Sequence, residues 1–341
     1  NIMYRRALYQ AHVYGFLKSD GLSTFDLCAV LAAEKYIDKT AVKSKLKSVL
    51  SEQAERGEYR GDFRDALYIA YAVTDYVTFA ADYGFLDELV EYAPRRAHGR
   101  KITLKTTVAE HCMRAVDGNI FQNVFNYDKT VRGIYDCKIL AELLRCFADI
   151  PNASAERKER YIAMLGKVAA TYSEETERLK NRSLYALNSL RATFTCARLL
   201  FESGEYDKSY NLLKYNNPLY ARKSSDPNII QKSFFTENDS STCGATAAAM
   251  FYTTVTECLV GLKLHGDKIS IMPMIGGETP HLRVELDTGD GRAKIDVDNS
   301  IKRGEWRIKL DRISYSAANV ELRGRGDAEI LLYRSGDGTI D

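Results

Sequence analysis

The sequence predicts a mainly α-helical protein: a six-hairpin α/α toroid barrel over residues 1–265, followed by a small C-terminal antiparallel β sandwich or jelly roll over residues 266–341. Three observations predict it. Apolar residues recur three or four apart through most of Tyr4 to Leu264, the mark of helices that bury one face. Between these stripes a punctuation recurs in which small or acidic residues are followed by an aromatic and then an acid. At Gly266 the apolar period falls to two.

Residues 62–82 carry Phe63, Leu67, Ala70, Val73, Val77 and Ala80 on one helical face, and similar stripes run through 105–118, 135–148, 158–173, 185–201 and 245–264. The punctuation reads Ala33-Glu34-Lys35-Tyr36-Ile37-Asp38, then Ala81-Asp82-Tyr83-Gly84-Phe85-Leu86-Asp87, then Glu202-Ser203-Gly204-Glu205-Tyr206-Asp207. In each, the acid is expected to cap the next helix and the aromatic to plug the turn. The interval from Tyr36 to Phe85 suits one long helical hairpin rather than the roughly 34-residue unit of a tetratricopeptide array. Beyond Gly266, the runs at 268–272, 281–286, 293–297, 305–310, 319–323 and 329–333 predict short strands.

Composition excludes several classes. The formal charge is only +2, from 48 basic and 46 acidic residues, so no nucleic acid partner is expected. No stretch approaches the roughly 20 apolar residues of a membrane helix, and Asn1-Ile2-Met3-Tyr4-Arg5-Arg6 lacks the apolar core of a signal peptide. No membrane partner is expected. The chain begins without an initiator Met, which leaves open that it is a fragment of a longer protein. Seven cysteines without a CxxC pair argue against a zinc cage or a disulfide framework, and reduced thiols favour the cytoplasm. None of the five histidines pairs at ligand spacing with another His or Cys, so no metal is expected. Neither a Gly-x-Ser-x-Gly elbow nor a Gly-rich phosphate loop is present, since Gly276-Gly277 runs into Glu-Thr-Pro, and no cofactor is expected.

Two polar segments, Gly118–Arg132 and Asn216–Ser241, interrupt the helical rhythm. Long polar insertions between scaffold helices are where binding chemistry concentrates, because the scaffold fixes their ends. Among 22 tyrosines, several fall near such loops, including Tyr59, Tyr68, Tyr71, Tyr127 and Tyr185, and most are expected to fill helix interfaces.

The segment Cys243-Gly244-Ala245-Thr246 through Tyr252, Gly261 and Gly266 to Pro273 resembles the last barrel helix and following strand of glycoside phosphorylases of the cellobiose and chitobiose phosphorylase type. Arg64-Asp65-Ala66-Leu67-Tyr68 resembles that family's Asp-Asp-Leu-Leu-Trp helix, and 181–204 resembles the helix after its Glu-Asn-Gly-Gly-Gln-Tyr-Thr-His segment. The resemblance covers most of residues 1–275. The family's amino-terminal β sandwich is absent from this sequence, and it implies a homodimer or a partner chain that supplies it.

The reaction implied is inverting phosphorolysis of an oligosaccharide, with inorganic phosphate as co-substrate and a carboxylic acid opposite it. The resemblance places the family's acid loop at Asn126-Tyr127-Asp128-Lys129, where Lys129 holds the acid position and Asp128 stands one place early. The family's sugar-holding Arg-Asp pair maps onto Phe25-Asp26, which keeps only the carboxylate. Its Glu-Asn…His segment maps onto Lys180-Asn181 through Tyr185 to Leu187, which keeps Asn181 and Tyr185 and loses the Glu and the phosphate-binding His. The phosphate-cradling Thr-Gly falls on Cys243-Gly244 or on Ala245-Thr246, according to the gap chosen. Asp26, Asp65, Tyr127, Asn181 and Tyr185 are thus candidate sugar-binding residues, Gly244 and Thr246 candidate phosphate-binding residues, and Asp128 the candidate acid. The expectation is a sugar-binding or scaffold pseudoenzyme with degraded acid and phosphate sites. The alternative is a divergent inverting phosphorylase or hydrolase using Asp26, Asp65, Asp128 or Glu237.

Overall fold

A computed structural model describes residues 2–19, 22–97, 100–121, 130–150, 153–181, 190–216, 244–266, 268–274, 281–287, 292–300, 306–310, 313–315, 319–321 and 327–334. The protein is mainly helical. Its helices are α1 (Ile2–Gln10), α2 (Thr24–Glu34), α3 (Lys39–Leu50), α4 (Phe63–Ala80), α5 (Val108–Phe121), α6 (Val131–Ala148), α7 (Ala155–Lys180), α8 (Leu190–Glu202), α9 (Tyr206–Tyr215) and α10 (Ala245–Thr254). The chain divides into two compact units, one of Asn1–Thr78 with Asp82–Tyr252 and one of Phe79–Ala81 with Thr253–Asp341.

In the first unit, helices begin where a short polar side chain accepts an otherwise unpaired N–H. Ser23 accepts from Asp26, Asp38 from Ala41, Thr130 from Gly133 and Ser154 from Arg157, at the heads of α2, α3, α6 and α7. Apolar faces at helical spacing then close the core. Phe147, Leu144, Phe194 and Leu199 have no exposed surface, each burial contributing about 1.5–3 kcal/mol. Polar staples join the helices: Lys35, 4% exposed, lies 2.8 Å from Asp75 of α4, and Lys138 of α6 lies 3.1 Å from Glu202 of α8.

Contacts fix relative directions. The π-helical turn Ala11–Phe16 continues α1, and its His12 bonds Glu34 at the carboxyl end of α2 while Gly15 packs on Val30. Tyr252 of α10 stacks on Tyr4, and Ala245 lies against Gly15. Both α2 and α10 therefore run antiparallel to the first helix and parallel to each other.

The second punctuation behaves differently from expectation. Asp87 ends a 3-10 turn, Tyr83–Asp87, that leads into a strand rather than a helix. Strand β1 (Leu89–Glu91) pairs with β4 (Lys105–Thr107), and β2 (Arg95–Ala97) with β3 (Arg100–Ile102), in an antiparallel ribbon. Residues 105–107 are therefore strand, consistent with consecutive β-branched threonines, and the helix predicted there starts at Val108, where Thr107 accepts the Glu110 N–H at 3.2 Å.

In the second unit, the helix predicted over 245–264 stops early. α10 ends at Thr254, a π-helical turn covers Val255–Leu259, and β5 (Leu262–His265) follows. The reason is Gly261, whose φ of +69° suits only glycine and whose added Cβ would lie 1.9 Å from the Met272 carbonyl oxygen. One sheet has the order β11 (Asn319–Glu321), β6 (Lys268–Ile271), β5. The other has the order β10 (Ile313–Tyr315), β9 (Trp306–Leu310), β12 (Ala328–Arg334), β8 (Arg292–Asp298), β7 (His281–Asp287). Leu262, Ile269 and Ile271 of the first share one core with Ala293, Ile295, Val297, Ile330 and Leu332 of the second. The expected all-antiparallel pattern is corrected at one place: β12 pairs with β8 in parallel, Ala328 opposite Ala293 through Tyr333 opposite Asp298. The three strands between them in sequence provide a connection long enough for a parallel return.

Candidate functional site

A cation in the first turn of a helix sits against the partial positive charge of the free N–H groups and is disfavoured there. Nevertheless α4, α6 and α8 each carry arginine as their second residue: Arg64, Arg132 and Arg191. The fold brings these three turns together with the first turn of α2.

Phe25, the second residue of α2, is the hub. Its ring meets Tyr68 of α4 edge-on at 5.1 Å and Tyr135 of α6 at 6.2 Å. The guanidinium carbons of Arg132 and Arg191 lie 5.4 and 5.2 Å from its centroid, within cation–π range. Around this hub the polar groups pair. Arg191 Nη1 lies 2.9 Å from Asp26 Oδ1, whose other oxygen accepts the Ser23 hydroxyl at 2.7 Å. Arg64 Nε lies 3.2 Å from Asp136 Oδ2. The Tyr68 hydroxyl donates to Asp136 and accepts from Arg132 Nε, the latter at 3.0 Å. Thr24, first in α2, donates its hydroxyl to Asp65 Oδ2 at 2.9 Å.

Electrostatics follow from this packing. Burial, reinforced by nearby Asp62, raises the Asp65 carboxyl above the usual range, and the Thr24 hydrogen bond offsets only part of that. Burial and the Asp136 charge push the Tyr68 hydroxyl up, so it keeps its proton to donate. Burial opposes the charge on Arg132, but the Tyr68 bond and the Asp136 and Asp65 charges outweigh it and hold the guanidinium charged. Carboxylate acceptors and guanidinium donors therefore stand together at partly exposed positions, with side-chain exposures of 21% for Asp26, 29% for Arg64 and 41% for Arg191.

No protein-family model and no curated protein matches this sequence.

Of the residues singled out from sequence, Asp26 stands in the first turn of α2, and Asp65 of α4 is bonded to that same turn through Thr24, two residues before Asp26. Asn181 has a capping role: its side chain donates to the Glu177 carbonyl at 3.0 Å at the end of α7. Gly244, buried, and Thr246, half-buried, stand at the start of α10, where the Gly244 carbonyl accepts the Ala248 N–H at 2.8 Å. Tyr127, Asp128 and Tyr185 lie outside the described residues, as do Lys129, Leu187, Glu237 and Cys243. Among the described residues no cluster of His, Cys, Asp and Glu could hold a metal ion, and no helix is long and apolar enough to cross a membrane.

Sequence reasoning missed Arg132, Arg191 and Asp136. A usable signal existed in the arginine at the second position of three successive even-numbered helices, a placement the helix dipole disfavours without a compensating anion. It becomes visible only once helix starts are known to the residue.

Proposed function

We propose that the helical unit is an α/α toroid of the glycoside phosphorylase type, followed by a β sandwich, and that it binds a β-linked oligosaccharide at the amino ends of α2, α4, α6 and α8. The observation that carries this reading is the meeting of Asp26 and Asp65 with Arg191 and Arg132 around Phe25. Ionised carboxylates accept from sugar hydroxyls and guanidinium groups donate to them, and a fixed array of both is what polyol recognition needs. The parallel course of α2 and α10 supports an inner ring of like-directed helices, as a toroid has.

The reading includes a degraded reaction centre. Phe25 stands where the resembled family has arginine, Lys180 where it has a carboxylate, and Leu187 where it has the phosphate-binding histidine. Arg191 reaches Asp26 from another helix, so the sugar-side carboxylate keeps a cationic neighbour without the family's own arginine. Cytoplasmic residence, a homodimer or a partner chain supplying a β sandwich belong to the same proposal.

One observation favours a second reading, a divergent inverting hydrolase or phosphorylase. Asp65 is half-buried and its carboxyl is raised by that burial, the direction of shift that a proton donor to a glycosidic oxygen needs.

Incubation with β-1,4-linked glucose oligomers, with and without inorganic phosphate, separates the readings. The first reading expects a thermal shift without turnover, since ligand at one hundred times its Kd adds about 2.7 kcal/mol of stability. Release of sugar 1-phosphate, or of free sugar without phosphate, would establish the second. Neither shift nor turnover across neutral and charged oligomers would sink both.

A further inference from the structure

We infer that the sugar bound at this site carries a negative charge, and that its anionic group sits on the guanidinium of Arg132. This rests on the oligosaccharide reading above and specifies its substrate class.

Three arginines stand in first turns where the helix dipole disfavours them. Two have a carboxylate to offset that: Arg191 pairs with Asp26 at 2.9 Å and Arg64 with Asp136 at 3.2 Å. Among the described residues no carboxylate lies within ion-pair distance of Arg132, and the charges of Asp136 and Asp65 act on it only from further away. Its Nε is used on the neutral Tyr68 hydroxyl, and the four N–H groups of its two Nη atoms have no acceptor among the described residues. Asp65 on α4 already accepts from Thr24, and burial raises its carboxyl above the usual range.

The guanidinium is nonetheless held in place. It lies over the rings of both Phe25 and Tyr68, at 5.4 and 5.6 Å from their centroids. The two cation–π contacts and the Tyr68 bond steady the cation, and a guanidinium grips two oxygens of one anion through its paired N–H donors. Arg132 itself is exposed. A fixed cation with an open donor edge, beside carboxylates suited to sugar hydroxyls, describes a subsite for a uronate-type residue, with its carboxylate on Arg132 and its hydroxyls on Asp26 and Asp65.

The test compares three probes on the whole chain by calorimetry: β-linked glucuronate oligomers, their methyl esters, and inorganic phosphate alone. The acid oligomer is expected to bind about tenfold or more tighter than its ester, the step one charge-assisted bidentate contact supplies. Added salt should narrow the gap. Arg132→Ala should bring acid and ester to the same affinity, and Arg132→Lys should retain part of the preference, with far-UV circular dichroism confirming that both variants fold. Equal binding of acid and ester by the unsubstituted protein, or a preference that survives Arg132→Ala, overturns the inference while leaving oligosaccharide binding intact. Phosphate that protects the protein through Arg132, with no preference for the acid sugar, also overturns it. Absence of binding by any oligomer removes the oligosaccharide reading itself.

Discussion

Arg191 closes a 2.9 Å ion pair on Asp26, 165 positions earlier in the chain, and this pair ties the first turn of α8 to the first turn of α2. With Arg191 41% exposed, water and salt screen most of the attraction, so a double-mutant cycle with Asp26→Asn and Arg191→Ala should give a stability coupling of only about 0.5 kcal/mol. Oligosaccharide affinity should fall far more, by about tenfold or more for Asp26→Asn, because a lost hydrogen bond from a charged group is worth more in a desolvated complex. Urea melts and calorimetry on the same four proteins check both halves, and a large stability coupling with unchanged affinity would make the pair purely structural.

Tyr68→Phe removes one hydroxyl that serves two neighbours. Its donation to Asp136 and acceptance from Arg132 are lost together, and the Asp136 side chain is only 14% exposed. The expected cost is about 1–3 kcal/mol, the range for leaving a charged partner short of its hydrogen bond. The melting temperature should drop, and Arg132, freed from its anchor, should lose part of its acid-sugar preference. A phenylalanine variant as stable as the parent would show that the hydroxyl bonds contribute little.

How much of this was legible beforehand depended on whether the information was local. Asp38 caps α3 as such a residue does anywhere, and the apolar stripes and the change of period near Gly266 are local patterns. Asp26 and Asp65 were reached through motif resemblance, and the fold bonds Asp65 to the helix turn that holds Asp26. Asp87 misled, because an acid after an aromatic turn suits a 3-10 turn before a strand as well as a helix cap. The β5 strand was hidden because Leu262 and Leu264 continue a helical apolar count, and only the backbone shows that Gly261 breaks it. Arg132 and Arg191 were illegible for another reason: their partners lie on other helices, and nothing in local spacing encodes a pairing across that distance.

Gly261→Ala should damage the second unit selectively. A Cβ there would overlap the Met272 carbonyl oxygen at a φ of +69°, disrupting the bond by which the Met272 N–H reaches the Gly261 carbonyl at 3.0 Å. Strain of this type costs about 1–3 kcal/mol before the clash is counted. Amide exchange in Leu262–Ile271 should accelerate, while the amides of α6 and α7 keep their protection. Uniform acceleration through both units would contradict the assignment of a local role.

His111 sets a pH dependence of stability. It has no exposed surface, its Nδ1 lies 2.7 Å from Gln53 Oε1, and its Nε2 lies 3.2 Å from the Val90 carbonyl. Burial, the largest influence, lowers its pKa to about 4, well below the roughly 6.5 of an unfolded chain. The unfolded state therefore binds the extra proton first, so the contribution of neutral His111 is full above about pH 6.5 and is lost as pH falls towards 4. The total at stake is on the order of 3 kcal/mol. His111→Asn should be less stable than the parent at pH 7, because packing and the one hydrogen bond that a neutral imidazole donates are lost. Its deficit should shrink steadily between pH 6.5 and pH 4, since the substitution also removes the titrating group. Urea unfolding of both proteins across that range gives the difference directly, and a deficit constant with pH would mean that the buried imidazole does not titrate on unfolding.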